Sequence, residues 1–132
     1  MHVIAIPAEL CYIYGRNMVD RRWHKRVSIT GIAILKFEKR GDIQSLQAVP
    51  GNISLGGIGL YADVPIEIDT NISITIDFIS ADGLKADSIE GHVVHYNDIG
   101  NIYFIGIQFN EEINPGNHPS LYEHIQRILT RD

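Results

Sequence analysis

The sequence predicts an all-β fold: a six-stranded antiparallel β-barrel with one C-terminal α-helix. Three observations predict it. Twenty-three of the 132 residues are isoleucine, and so β-branched a composition favours strands over helices. About six apolar runs of strand length are separated by turn-forming residues. Only the last stretch repeats its apolar residues at helical spacing.

Residues 1–19 read as an arm, in which His2 to Ile6 form a short strand stopped by Pro7. VSITGIAILKFE (27–38) reads as the first strand of the barrel, and KRGD (39–42) as a turn. SLQAVPGNISLGGIGLYAD (45–63) reads as two short strands around a loop, punctuated by Pro50-Gly51 and Gly56-Gly57. NISITIDF (71–78) alternates cleanly: Ile72, Ile74, Ile76 and Phe78 on one face, Asn71, Ser73, Thr75 and Asp77 on the other. Ala81-Asp82-Gly83 is a turn. SIEGHVVHY (88–96) and IYFIGIQF (102–109) form a hairpin. Gly106 within it marks a corner or a close approach. At the end, Ser120-x-x-Glu123 matches a capping box. Leu121, Ile125, Ile128 and Leu129 make one apolar stripe, placed to lie across an open end of the sheet.

The length fits one domain. No apolar run reaches the ~18–20 residues of a membrane span, and MHVIAIPAEL lacks the basic start and long apolar core of a signal peptide. Cys11 is the single cysteine, which excludes an internal disulfide and Cys-based zinc sites and makes a reducing cytoplasm the simplest location. The Asn52-Ile53-Ser54 and Asn71-Ile72-Ser73 sequons are then coincidental.

The net charge of −5 hides an asymmetry. Residues 1–40 carry a balance of +5 and residues 41–132 one of −10. The basic residues concentrate at Arg16, Arg21, Arg22, Lys25 and Arg26, opposed only by Asp20. An acidic protein is a poor coat for long nucleic acid, whose binding rests on many phosphate contacts. One compact basic segment suits a small anion, or is simply a solvated linker. His92 and His95 lie three apart in a strand. That spacing puts them on opposite faces and predicts no shared metal. Nucleophile-elbow, P-loop and dinucleotide motifs are absent, and no enzyme is predicted.

Two features remain. Arg22 and Arg26 form R-x-x-x-R, with Arg21 just before it. Each arginine carries a planar fork that fits phosphate oxygens or a guanine edge. The second feature is Asn52-Ile53-Ser54-Leu55-Gly56-Gly57. In an extended chain Asn52 and Ser54 share one side, Ile53 and Leu55 face the core, and the glycines permit a tight turn or close approach. Alone, either feature is common: two surface arginines, or a polar hairpin loop.

In this order they resemble the PilZ domain family, marked by R-x-x-x-R and then [D/N]-x-S-x-x-G at the start of a barrel strand. Asn52 stands where the family more often has Asp. The resemblance covers residues 20–132, including the strand-rich middle and the terminal helix, and leaves the arm at 1–19 outside. It implies a six-stranded barrel that acts as a receptor for cyclic di-GMP, with no other cofactor. By resemblance, Arg22 and Arg26 hold guanine edges and phosphates. Asn52 and Ser54 bind the other guanine, Gly56 and Gly57 keep that surface bare, and Arg21 adds a phosphate or stacking contact. His95 falls where some relatives place an aromatic residue. Ligand bridging would order residues 16–28 and change a surface read by a downstream protein, with a homodimer as a further state. A nucleotide-independent adaptor and a small RNA-binding barrel are the alternatives. The first should have lost the arginines, and the second should carry exposed aromatics among basic residues along its strands.

Overall fold

The computed structural model describes residues 24–130. The arm at 1–19, Cys11, Arg21 and Arg22 lie outside them. The elements are β1 (Val27–Ser28), β2 (Gly31–Lys39), β3 (Asp42–Ile53), β4 (Gly57–Ala62), β5 (Asn71–Ser80), β6 (Gly83–Asp98), β7 (Tyr103–Phe109) and α1 (Pro119–Leu129). All strand pairings are antiparallel. The order β3-β2-β5-β6-β7-β4 closes on itself, because β4 also pairs with β3.

Among the described residues there are seven strands rather than the expected six. The extra one is a fragment. The run expected as one strand from 27 to 38 breaks at Ile29-Thr30, leaving β1 paired with Asn52 and Ile53 and β2 paired with Asp42–Ala48. The stretch of β3 between those two pairings is irregular, with a register shift at Pro50/Asn52. Pro50-Gly51 is therefore a bulge inside β3, and the loop between the two expected strands falls at residues 54–56. A bulge bends its strand and frees Pro from a ladder bond it cannot make.

The turn at Arg40-Gly41 is the two-residue connection between β2 and β3. Both residues have positive φ, 53° and 85°, which matches the right-handed twist of a hairpin and requires Gly at the second position. β5 bears out its alternation: Ile72, Ile74, Ile76 and Phe78 are buried. They meet Ala33 and Leu35 of β2, Ile89 and Val93 of β6, Ile105 and Ile107 of β7 and Ile58 and Leu60 of β4 in one core.

α1 adds Leu121 and Ile125 to that core and packs on β6 and β1. The capping box is not formed. His118 is the N-cap, no side chain caps the helix, and Pro119 opens it, so Ser120 already lies inside the first turn. Proline fits there because its missing N–H has no helical acceptor to bond. No helix among the described residues is long and apolar enough to cross a membrane.

Candidate functional site

Strand register places four residues in one row across the outer face. Asn52 of β3 pairs with Gly59 of β4. Gly59 pairs with Gly106 of β7, and Gly106 with His95 of β6. The inward neighbours of this row, Ile53, Ile58, Leu60, Ile105 and Ile107, are core residues. Two side chains thus flank a two-glycine floor.

Aromatic rings lie on the glycines of this face. A Cβ on Gly106 would fall 2.6 Å from the His95 ring, one on Gly59 2.4 Å from the Phe104 ring, and one on Gly51 2.6 Å from the Tyr61 ring. The rings adjoin one another. His95 stacks on Phe104 at 6.1 Å between centroids and 24° between planes. Phe104 meets Tyr61 at 5.1 Å and 58°. Seating a ring flat on a sheet needs a neighbour without a side chain, and three glycines supply one each. Tyr61, Phe104, Gly51 and Gly59 were not among the expected site residues. The alternation of glycine at 57 and 59 with Ile58 and Leu60 was the available signal of a bare outer face.

Arg26 reaches this face from the segment before β1. Its guanidinium donates a hydrogen bond to Asn52 Oδ1, so residues from both motifs meet at one point. Arg26 is half-buried. Two residues earlier, His24 pairs with Glu112, in the loop after β7. Within the expected switch segment 16–28, residues 24–28 are therefore tied to the body of the fold.

Ser54 lies inside the turn rather than on the open face. Its side chain is buried, with 3% of the residue's surface exposed. Its Oγ accepts from Gly56 N at 3.2 Å and lies 3.5 Å from Gly57 O. The hydroxyl closes the turn between β3 and β4 instead of sharing an open side with Asn52. Gly57 answers a packing demand as well. A Cβ there would fall 2.6 Å from the Ile107 carbonyl oxygen, and its φ is not positive. Gly56 has its carbonyl bonded by Phe109 N at 2.9 Å.

The bulge between Val93 and His95 changes the histidine argument. One extra residue restores parity, so His92, opposite Gln108, and His95, opposite Gly106, lie on the same face. His92 Nδ1 is 3.3 Å from Asn110 Oδ1, and no group of three or more potential ligands occurs among the described residues. An apolar groove of about 560 Å³ lies on α1, lined by Pro115, Pro119 and Tyr122 among others, and contains none of these residues.

Burial, and then the positive charge of Arg26, lower the His95 pKa below the ordinary imidazole value. In the unfolded chain the same imidazole titrates near 6.5. As pH falls through that value the unfolded state takes up the proton first, so stability decreases with acidification until the folded imidazole also protonates. Thermal melts of the free protein from pH 8 to pH 5 should show this loss, and His95→Phe should show less of it.

The PilZ domain family model matches residues 20–131. A search of curated proteins finds no match. Among solved structures, the Bacillus subtilis inhibitor of motility MotI/DgrA superposes with a TM-score of 0.65 at 17% identity, covering 84% of this chain and 53% of that one. This chain thus spans about half the length of that neighbour. The PilZ domain of YcgR from Escherichia coli, solved with c-di-GMP, gives a TM-score of 0.58 at 15% identity, covering 83% of this chain and 92% of that domain. MrkH from K. pneumonia in its apo state gives 0.50 at 16% identity, covering 82% and 53%. At these identities the structures speak for the fold. The family match spans most of the chain, from the basic segment through the ring of strands to the terminal helix, and this protein belongs to the PilZ domain family.

Proposed function

We propose that this chain is a non-catalytic, cytoplasmic receptor for cyclic di-GMP that signals to a downstream protein. The observation that carries the reading is the Arg26–Asn52 contact, which joins one residue of R-x-x-x-R to one of N-x-S-x-x-G. Arg26 supplies a forked cation, Asn52 an amide with both donor and acceptor, and the glycine floor beside them a bare surface. By the family motif Arg21 and Arg22 would add further cationic contacts, and His95 closes the row opposite Asn52. Gly56 and Gly57 shape the turn beneath Asn52, and Ser54 acts by holding that turn. Family membership and the fold shared with a c-di-GMP-bound domain support the reading.

Ser54 favours a second reading, a nucleotide-independent adaptor, because one motif hydroxyl is spent inside the turn. Titration calorimetry decides. Cyclic di-GMP should bind and GMP far more weakly, since only the dinucleotide spans both motifs. Affinity should fall modestly with salt, as two phosphates release few counterions. Equal affinities for the two nucleotides would remove the bridging arrangement, and no binding of either would favour the adaptor.

A further inference from the structure

His95 lies on the face that Arg26 reaches. Its ring lies over Gly106 and against Phe104, in the same row as Asn52, to which Arg26 is bonded. Among the described residues, the row and its neighbours come from four other elements. The segment before β1 contributes Arg26, whose charge acts on it. β4 contributes Tyr61 and Gly59, and β7 contributes Phe104, Gly106 and Gln108. β3 contributes Asn52. β4 and β7 contain no acidic residue, and the one acid of β3, Asp42, stands at its far end. On β6 itself the same-face titratable groups are His92, which adjoins Asn110, and Glu90, one step further along the strand. A guanidinium and an imidazole thus share a face to which the adjoining strands bring no carboxylate.

We infer that His95 takes up a proton when the nucleotide binds, its imidazolium pairing with a ligand phosphate beside Arg26. The inference rests on the receptor reading. A phosphodiester keeps its negative charge throughout the range in which imidazole titrates. In the free protein, burial and Arg26 oppose a charge on the ring. A bound phosphate offsets the Arg26 charge and favours the imidazolium. The two states then differ in bound protons, and affinity must depend on pH. Neutral His95 still offers a planar surface, so binding persists at high pH but is weaker.

Calorimetric titration with cyclic di-GMP between pH 8 and pH 5.5 tests this. Wild-type affinity should rise as pH falls, by up to roughly tenfold per pH unit where one full proton is taken up. At a fixed pH in that range, the apparent binding heat should differ between two buffers of unequal ionisation enthalpy, which counts the protons directly. His95→Phe keeps a ring over Gly106 and cannot protonate, so its pH profile should be flat and its heats independent of buffer. His95→Gln, polar and without the ring, should give the same flat profile, which guards against misfolding of either variant. Wild-type binding with no pH dependence, or a slope retained in both variants, would overturn the inference and leave the receptor reading intact. Absence of cyclic di-GMP binding at every pH would overturn both.

Discussion

Arg26→Ala should lose roughly tenfold to hundredfold in affinity for cyclic di-GMP. A bidentate, charge-assisted contact to a guanine edge is worth about 1–3 kcal/mol, which converts to that range. Calorimetric titration of the variant measures it directly. The structure adds an effect on the free protein. Arg26 is half-buried and bonds Asn52, so its removal also takes away a hydrogen bond worth about 1 kcal/mol. A melting temperature lower by about 4 °C or more should accompany the loss of binding. Arg26→Lys separates the two properties of the residue: it keeps the charge and loses the fork. It should bind better than the alanine variant and worse than wild type. An Arg26→Ala protein that binds as wild type would place the ligand elsewhere.

Gly57→Val should damage the fold itself. The added Cβ would fall 2.6 Å from the Ile107 carbonyl oxygen, a backbone atom that cannot swing aside as a side chain can. That carbonyl lies on β7, the strand paired with β4, so relief requires the two strands to separate locally. Overpacking of this kind costs about 1–3 kcal/mol. The free variant should melt many degrees lower, whether or not ligand is present to compete for the surface. Gly57→Ala, which carries the same Cβ and nothing beyond it, should show most of the loss. A variant that melts normally but fails to bind would assign Gly57 to the ligand surface alone.

The core was largely legible because it depends on periodicity. Ile72, Ile74, Ile76 and Phe78 announce a one-sided strand, and Leu121 and Ile125 announce the buried stripe of a helix; all six are buried. What periodicity cannot show is where it slips. The bulge at Pro50/Asn52 puts an extra residue inside one expected strand, and the bulge at Val93/His95 moves His95 onto the face of His92. Each is a single extra residue, and a shift of one residue reverses every side chain beyond it. The site was legible in part for the same reason. Asn52 and Arg26 could be named from their motifs, yet their contact depends on the path of the segment before β1. Tyr61 and Phe104 became visible only through register, since each lies over a glycine of another strand. Ser54 looked like a ligand group because its hydroxyl is polar and two residues from Asn52. In the structure that hydroxyl is bonded to the turn that the following glycines make, which the spacing could not show.

On the proposed reading, cyclic di-GMP should bind the outer face on which Arg26, Asn52, Gly59, Gly106 and His95 lie. Amide chemical-shift mapping of the labelled full chain during titration with cyclic di-GMP tests it most directly. Saturable shifts should concentrate at those five residues and at Phe104 and Gln108. The amides of Thr75, Asp77 and Ser88, on the outer faces of β5 and β6 away from the row, should stay unmoved. Saturable shifts centred on Thr75, Asp77 and Ser88, or a spectrum unchanged by millimolar ligand, would contradict the account.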